Sequence, residues 1–180
     1  MEDEVKAWLP DRATVEVTRI AAWESSKDDL QVEGRISIPE FSNVSGHRMF
    51  APLMVFNANQ VPHFVHAART HPVYFGHSYR VDDDVRLELP DGFRTEAAPQ
   101  SHNDINDFCH YETSTKSSDR SVDSHRSLQV NGFFFDRAIY ASLRSFSASV
   151  MSHDSEQLAL EPTQERHAEE SRSTSVPGAS

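Results

Sequence analysis

Apolar side chains in this chain recur mainly at every second position. Val15 and Val17 alternate with Thr14, Glu16 and Thr18. Leu30, Val32, Ile36 and Ile38 alternate with Gln31, Glu33, Arg35 and Ser37, and Gly34 takes one apolar place. Val85, Leu87 and Leu89 alternate with Arg86 and Glu88. Successive side chains of a strand point to opposite faces, so this period predicts antiparallel strands with one packed face and one wet face. Pro90-Asp91-Gly92 is turn chemistry: proline presets φ and glycine accepts positive φ. Phe93 and Thr95 then resume the alternation, so 85–96 is expected to form a hairpin. Residues 72–81, 108–115 and 127–135 also read as strands, and 114–124 as a loop or hairpin tip. Residues 49–56 suit a buried strand, with Pro52 at an edge or bulge. Seven or more short strands with closely spaced turns predict a mainly β fold, an antiparallel β-sandwich.

One segment has a helical period. Ile139, Leu143, Phe146 and Val150 are spaced four, three and four, which places them on one stripe. Asp136 offers an N-cap. An amphipathic C-terminal helix is expected over about 137–151, packed on an open face or edge of the sheets. A shorter helix is expected over 60–68. The stretch 161–180 carries no aromatic residue and almost no aliphatic one, so it cannot offset its ordering entropy and reads as a disordered tail. Residues 1–12 read as a flexible lead-in in which Trp8, Leu9 and Pro10 could dock. A single β-sandwich domain over 13–160 remains. Hydrophobic residues make up 37 % of the 180, below the roughly 45–50 % usual for globular chains, as expected if part of the chain stays outside the core.

The formal net charge of −11 argues against a nucleic-acid partner, which needs clustered Lys and Arg, and against an anionic membrane surface. No apolar run approaches a membrane span of roughly 18 residues. The start, MEDEVKAW, has no signal-peptide apolar region. Cys109 is the one cysteine, so an internal disulfide and a cysteine-based zinc site are both excluded.

Three groups of residues offer chemistry. Cys109 and His110 supply a thiol and an imidazole, but strand neighbours face opposite ways, so His110 is poorly placed to activate Cys109. His63, His66, His71 and His77 fall within fifteen residues, and imidazoles at such spacing suit a first-row metal. Asp82, Asp83 and Asp84 could hold calcium, yet they lack the spacing and glycine of an EF-hand loop. They read instead as a charged lead-in to the strand at Val85 that discourages edge pairing. Phosphate-loop, GxSxG and HExxH patterns are absent, and no cofactor is expected.

The segments RTHPVYFGHSYRVDDDVRLELPDGFRTEAAPQ and IYASLRSFSASVMSHDSEQLAL resemble the C-terminal β-domain of bacterial transglutaminase-like proteins, whose catalytic core follows a domain of unknown function. The matching residues are Arg69, Pro72, Val73, Asp84, Leu89, Pro90, Gly92 and Phe93, then Tyr140, Leu143 and Phe146, and finally Leu158 and Leu160. LQVEGRISIPEFSNVSGHRMFAPLMVF looks like the opening strands, and the resemblance spans about 13–160. It implies that the nucleophile, histidine and aspartate of the family lie in the preceding core and that none maps onto Cys109. Members of that family are commonly exported, whereas the start of this chain shows no signal-peptide apolar region, so the resemblance leaves the compartment open.

The first expectation is therefore a non-catalytic accessory β-sandwich with a protein partner, either a transglutaminase-like core or a neighbouring domain. An acyl-transfer enzyme or peptidase using Cys109 is the alternative. Divalent-metal binding by the His63–His77 cluster is a second one.

Overall fold

In the computed structural model, which describes residues 2–56 and 64–163, two four-stranded antiparallel sheets hold most of the strand residues. The first contains β6 (Tyr79–Glu88), β8 (His102–Ile105), β9 (Cys109–Ser117) and β10 (Ser121–Val130), in the order β6-β10-β9-β8. The second contains β3 (Asn43–Ser45), β4 (Arg48–Pro52), β7 (Phe93–Ala97) and β12 (Gln157–Pro162), in the order β3-β4-β12-β7. Two smaller pairs join β1 (Thr14–Ala21) to β2 (Gln31–Ser37), and β5 (Val73–Tyr74) to β11 (Phe134–Phe135). A 3-10 turn, Arg137–Ile139, leads into helix α2 (Tyr140–Asp154). The Asp136 carboxylate accepts from the Ala138 N–H at 2.8 Å, so it caps this turn. The chain is mainly β, as its alternation predicts, with the helix where its period puts it.

Alternation explains which residues face inward. Register sets Cys109 opposite Val130, Thr113 opposite Arg126 and Asp83 opposite Arg126, and cross-strand partners share a face. Two hydrophobic clusters form on that side. In one, Cys109 and Val130 pack with Val73, Phe135, Tyr140 and Leu143, so α2 covers this end of the first sheet. Leu143 and Val150 of the helical stripe are buried, and Ile139 and Phe146 half-buried. In the other, Val122 packs with Leu53, Leu89, Leu158 and Leu160, so the second sheet covers the opposite end. One layer is thus a sheet, and the facing layer is shared between a sheet and a helix.

The hairpin expected over 85–96 does not form. The turn is present, with Gly92 at φ +81° and the Phe93 N–H donating to the Pro90 carbonyl at 3.1 Å. Its arms enter different sheets: β6 pairs with β10, and β7 with β12. Leu89, Leu158 and Leu160 gain burial between the layers, which a flat hairpin could not supply. The run 72–81 is likewise interrupted, between β5 and β6, where Gly76 has φ +83°. The segment 114–124 is mostly strand, with the tip between Ser117 and Ser121.

Residues 1–12, where a flexible lead-in is expected, carry a short helix α1 (Glu2–Lys6), and Leu9 beyond it is fully buried. The expected short helix over 60–68 lies partly outside the described residues, and its described part, 64–68, is irregular. The predicted tail, after residue 163, also lies outside them. Among the described residues no helix is long and apolar enough to cross a membrane.

Candidate functional site

Between the two hydrophobic clusters the inward face turns polar. Arg126 occupies an inward position of β10 and its side chain is 2 % exposed. A buried guanidinium must be paired on several sides. Its Nε and one terminal nitrogen donate to Asp154 of α2 at 2.8 and 2.9 Å, a fork-on-fork pair. The other terminal nitrogen donates to Asp83 of β6 at 3.0 Å. The guanidinium also lies 5.7 Å from the centre of the Tyr111 ring, whose hydroxyl donates to Asp154 at 2.8 Å. Burial alone would lower the Arg126 pKa, but the hydrogen bonds and charge of Asp154, and then Asp83, raise it. Burial and the Asp154 charge push the Tyr111 phenol well up, so it stays protonated.

The middle aspartate of the acidic triplet is therefore a structural partner. Period two turns Asp83 inward to Arg126 and leaves its neighbours outside, where Asp84 meets His125 at 2.8 Å and Asp82 accepts from Arg80. The triplet lies within β6 rather than ahead of a strand, and β6 is a sheet edge. Outward charges on an edge strand oppose pairing with another chain.

Beside Arg126, β8 and the end of α2 bring together His102, His153 and Glu156. One ligand-type atom from each lies within 4.8 Å of the others. The two imidazoles stack with centroids 3.6 Å apart and planes 7° from parallel. His102 Nε2 is 2.9 Å from a Glu156 carboxylate oxygen. His153 Nδ1 is shut off from solvent without a hydrogen bond among the described residues, and an Asp104 carboxylate oxygen lies 3.7 Å away. The Ser149 hydroxyl holds Asp104 at 2.6 Å. A small cavity adjoins the three, lined also by Thr113, Thr115 and Ser124.

The residues singled out in the sequence are placed differently. Cys109 is 2 % exposed in the helix-covered cluster, and burial pushes its thiol up to about 11. His110 points elsewhere, with Nε2 3.1 Å from the Asn103 side-chain oxygen. His66, His71 and His77 do not take part in the histidine group found among the described residues, and His63 lies outside them. Sequence reasoning missed Arg126 and the trio. One signal for Arg126 was available: it falls in phase with Val122 and Val130, and a charge on an apolar phase demands a partner. The His-x-x-Glu spacing of His153 and Glu156 was also visible, but nothing in sequence ties His102 to them.

The profile of a domain of unknown function with a solved structure (DUF3858) matches residues 47–160, which hold both four-stranded sheets apart from β3 and the end of β12. The chain belongs to this family. Among solved structures, a "putative protease" from Parabacteroides distasonis is similar in fold, with a TM-score of 0.51 at 14 % identity. The match covers 62 % of this chain and 23 % of that one, so the similarity spans less than a quarter of the larger protein. No match is found among curated proteins. The matched span runs from β4 through α2 into β12. The β1–β2 hairpin lies upstream of the matched residues.

Proposed function

We propose that this chain is a non-catalytic accessory domain that docks on a transglutaminase-like core or on a neighbouring domain of such a protein. The observation that carries this reading is the apolar face of the β1–β2 hairpin. β1 and β2 pair with each other and form their own two-stranded sheet. Trp8, Leu30, Val32 and Ile36 are each at least 36 % exposed. With Val15 and Val17 they line one open groove that runs to the edge strand β6. Apolar surface gathered in one concave place marks an interaction site, unlike scattered exposed residues. The charges on β6 favour docking in the groove over addition of a strand. The fold likeness to part of a larger protein supports an accessory role, and the burial of Cys109 supports a non-catalytic one.

Affinity capture from the source cells, followed by native mass spectrometry, tests the proposal. The full chain should recover a transglutaminase-like protein in stoichiometric amount, and Ile36→Asp should recover far less. A chain found only as an unassociated monomer would refute it.

A further inference from the structure

We propose that His102, His153 and Glu156 form a binding site for a divalent cation of the zinc type. The donor set decides the class. Two imidazole nitrogens and one carboxylate oxygen suit zinc and its first-row neighbours, whereas magnesium and calcium take oxygen ligands. The three donors lie within 4.8 Å of one another although they come from separate elements. His102 is on β8, His153 in the last turn of α2, and Glu156 just beyond it. A helix C-terminus carries partial negative charge and favours a cation.

The surroundings support this assignment on independent grounds. Among the described residues the orphaned nitrogen of His153 lacks the hydrogen-bond partner that buried polar atoms ordinarily have, and a cation would supply one. Asp104, fixed by Ser149, adds negative charge 3.7 Å from that ring. Asp154 is already neutralised by Arg126, so it does not compete. Three protein ligands leave a fourth position, and the cavity with Thr113, Thr115 and Ser124 adjoins it. The stacked rings do not yet aim their lone pairs at one point. His102 lies on the edge strand β8, where turning about its side-chain bonds can bring them together. In the absence of a cation, the Glu156 carboxylate and the His102 ring satisfy each other at 2.9 Å.

Isothermal titration of the chelator-stripped full chain with zinc chloride tests the site, with the visible d–d bands of added cobalt(II) as a second readout. One zinc per chain is expected. His102→Gln and Glu156→Gln should each weaken binding at least about tenfold, since even the supporting shell of a metal site is worth 10–100-fold. Both residues are partly exposed, and circular dichroism checks that the variants fold. His71→Ala/His77→Ala should bind as the parent does. Absence of binding, or binding that survives in His102→Gln/Glu156→Gln, would overturn the assignment. So would loss of binding in the His71/His77 variant. None of these outcomes bears on docking through the β1–β2 hairpin.

Discussion

Asp154 grips the Arg126 guanidinium with both carboxylate oxygens, at 2.8 and 2.9 Å, and so ties the end of helix α2 to the middle of the first sheet. Arg126 is 2 % exposed and Asp154 18 %. Removing one partner of such a pair strands the other charge, which typically costs about 3–5 kcal/mol. Asp154→Ala is expected to lower the unfolding free energy by about 3 kcal/mol. The exposed pair of Arg120 and Asp91, at 2.6 Å, gives the comparison. Asp91→Ala should cost under about 1 kcal/mol, because water screens it. Urea unfolding of both variants checks the contrast, and equal losses would mean that the buried pair holds nothing together.

Cys109 should be chemically quiet while the protein is folded. Burial holds it as the neutral thiol, with a pKa of about 11, and it is the thiolate that attacks an alkylating reagent. Iodoacetamide at mildly alkaline pH should label native protein far more slowly than protein in denaturant. The linkage has a definite sign. The folded pKa lies above the unfolded one, so the contribution of this group is fully present below the ordinary thiol range and is lost as pH rises towards about 11. Rapid labelling of the native state at neutral pH would contradict the buried placement and restore the Cys109 enzyme reading.

Gly34 faces the backbone of β1 across the hairpin, paired with Val17. A Cβ there would meet the Glu16 carbonyl oxygen at 2.9 Å, and a backbone atom cannot swing aside as a flexible side chain can. The register between β1 and β2 also slips next to Val17, which pairs with Gly34. Gly34→Ala should therefore destabilise the hairpin by about 1–3 kcal/mol, in the manner of overpacking. Faster limited proteolysis between residues 14 and 37 than in the parent chain is the expected readout. An unchanged cleavage rate would show that the strands can separate without cost.

Local pattern made several features legible. Gly34 reads in sequence as a gap in an apolar row, and only the partner strand explains why no side chain stands there. The 139–150 stripe identified its helix because 3.6-residue periodicity is a property of the segment itself. The turn at Gly92 was equally legible, since positive φ is a local demand. The destination of its two arms was not, because strand pairing depends on segments far away in the chain. For the same reason the aspartate triplet hid the role of Asp83, which depends on Arg126 forty-three positions later.

The sequence by itself determined that this protein builds antiparallel strands and one amphipathic helix, because side-chain periodicity acts over a few residues and needs no partner. It also determined that Cys109 and His110 face different ways, since strand neighbours must. Tertiary structure alone decided that a sheet and a helix share the facing layer. It alone brought His102 to His153 and Glu156. Those contacts close over fifty residues of chain, and their energy comes from burial and charge pairing that exist only once the layers have met.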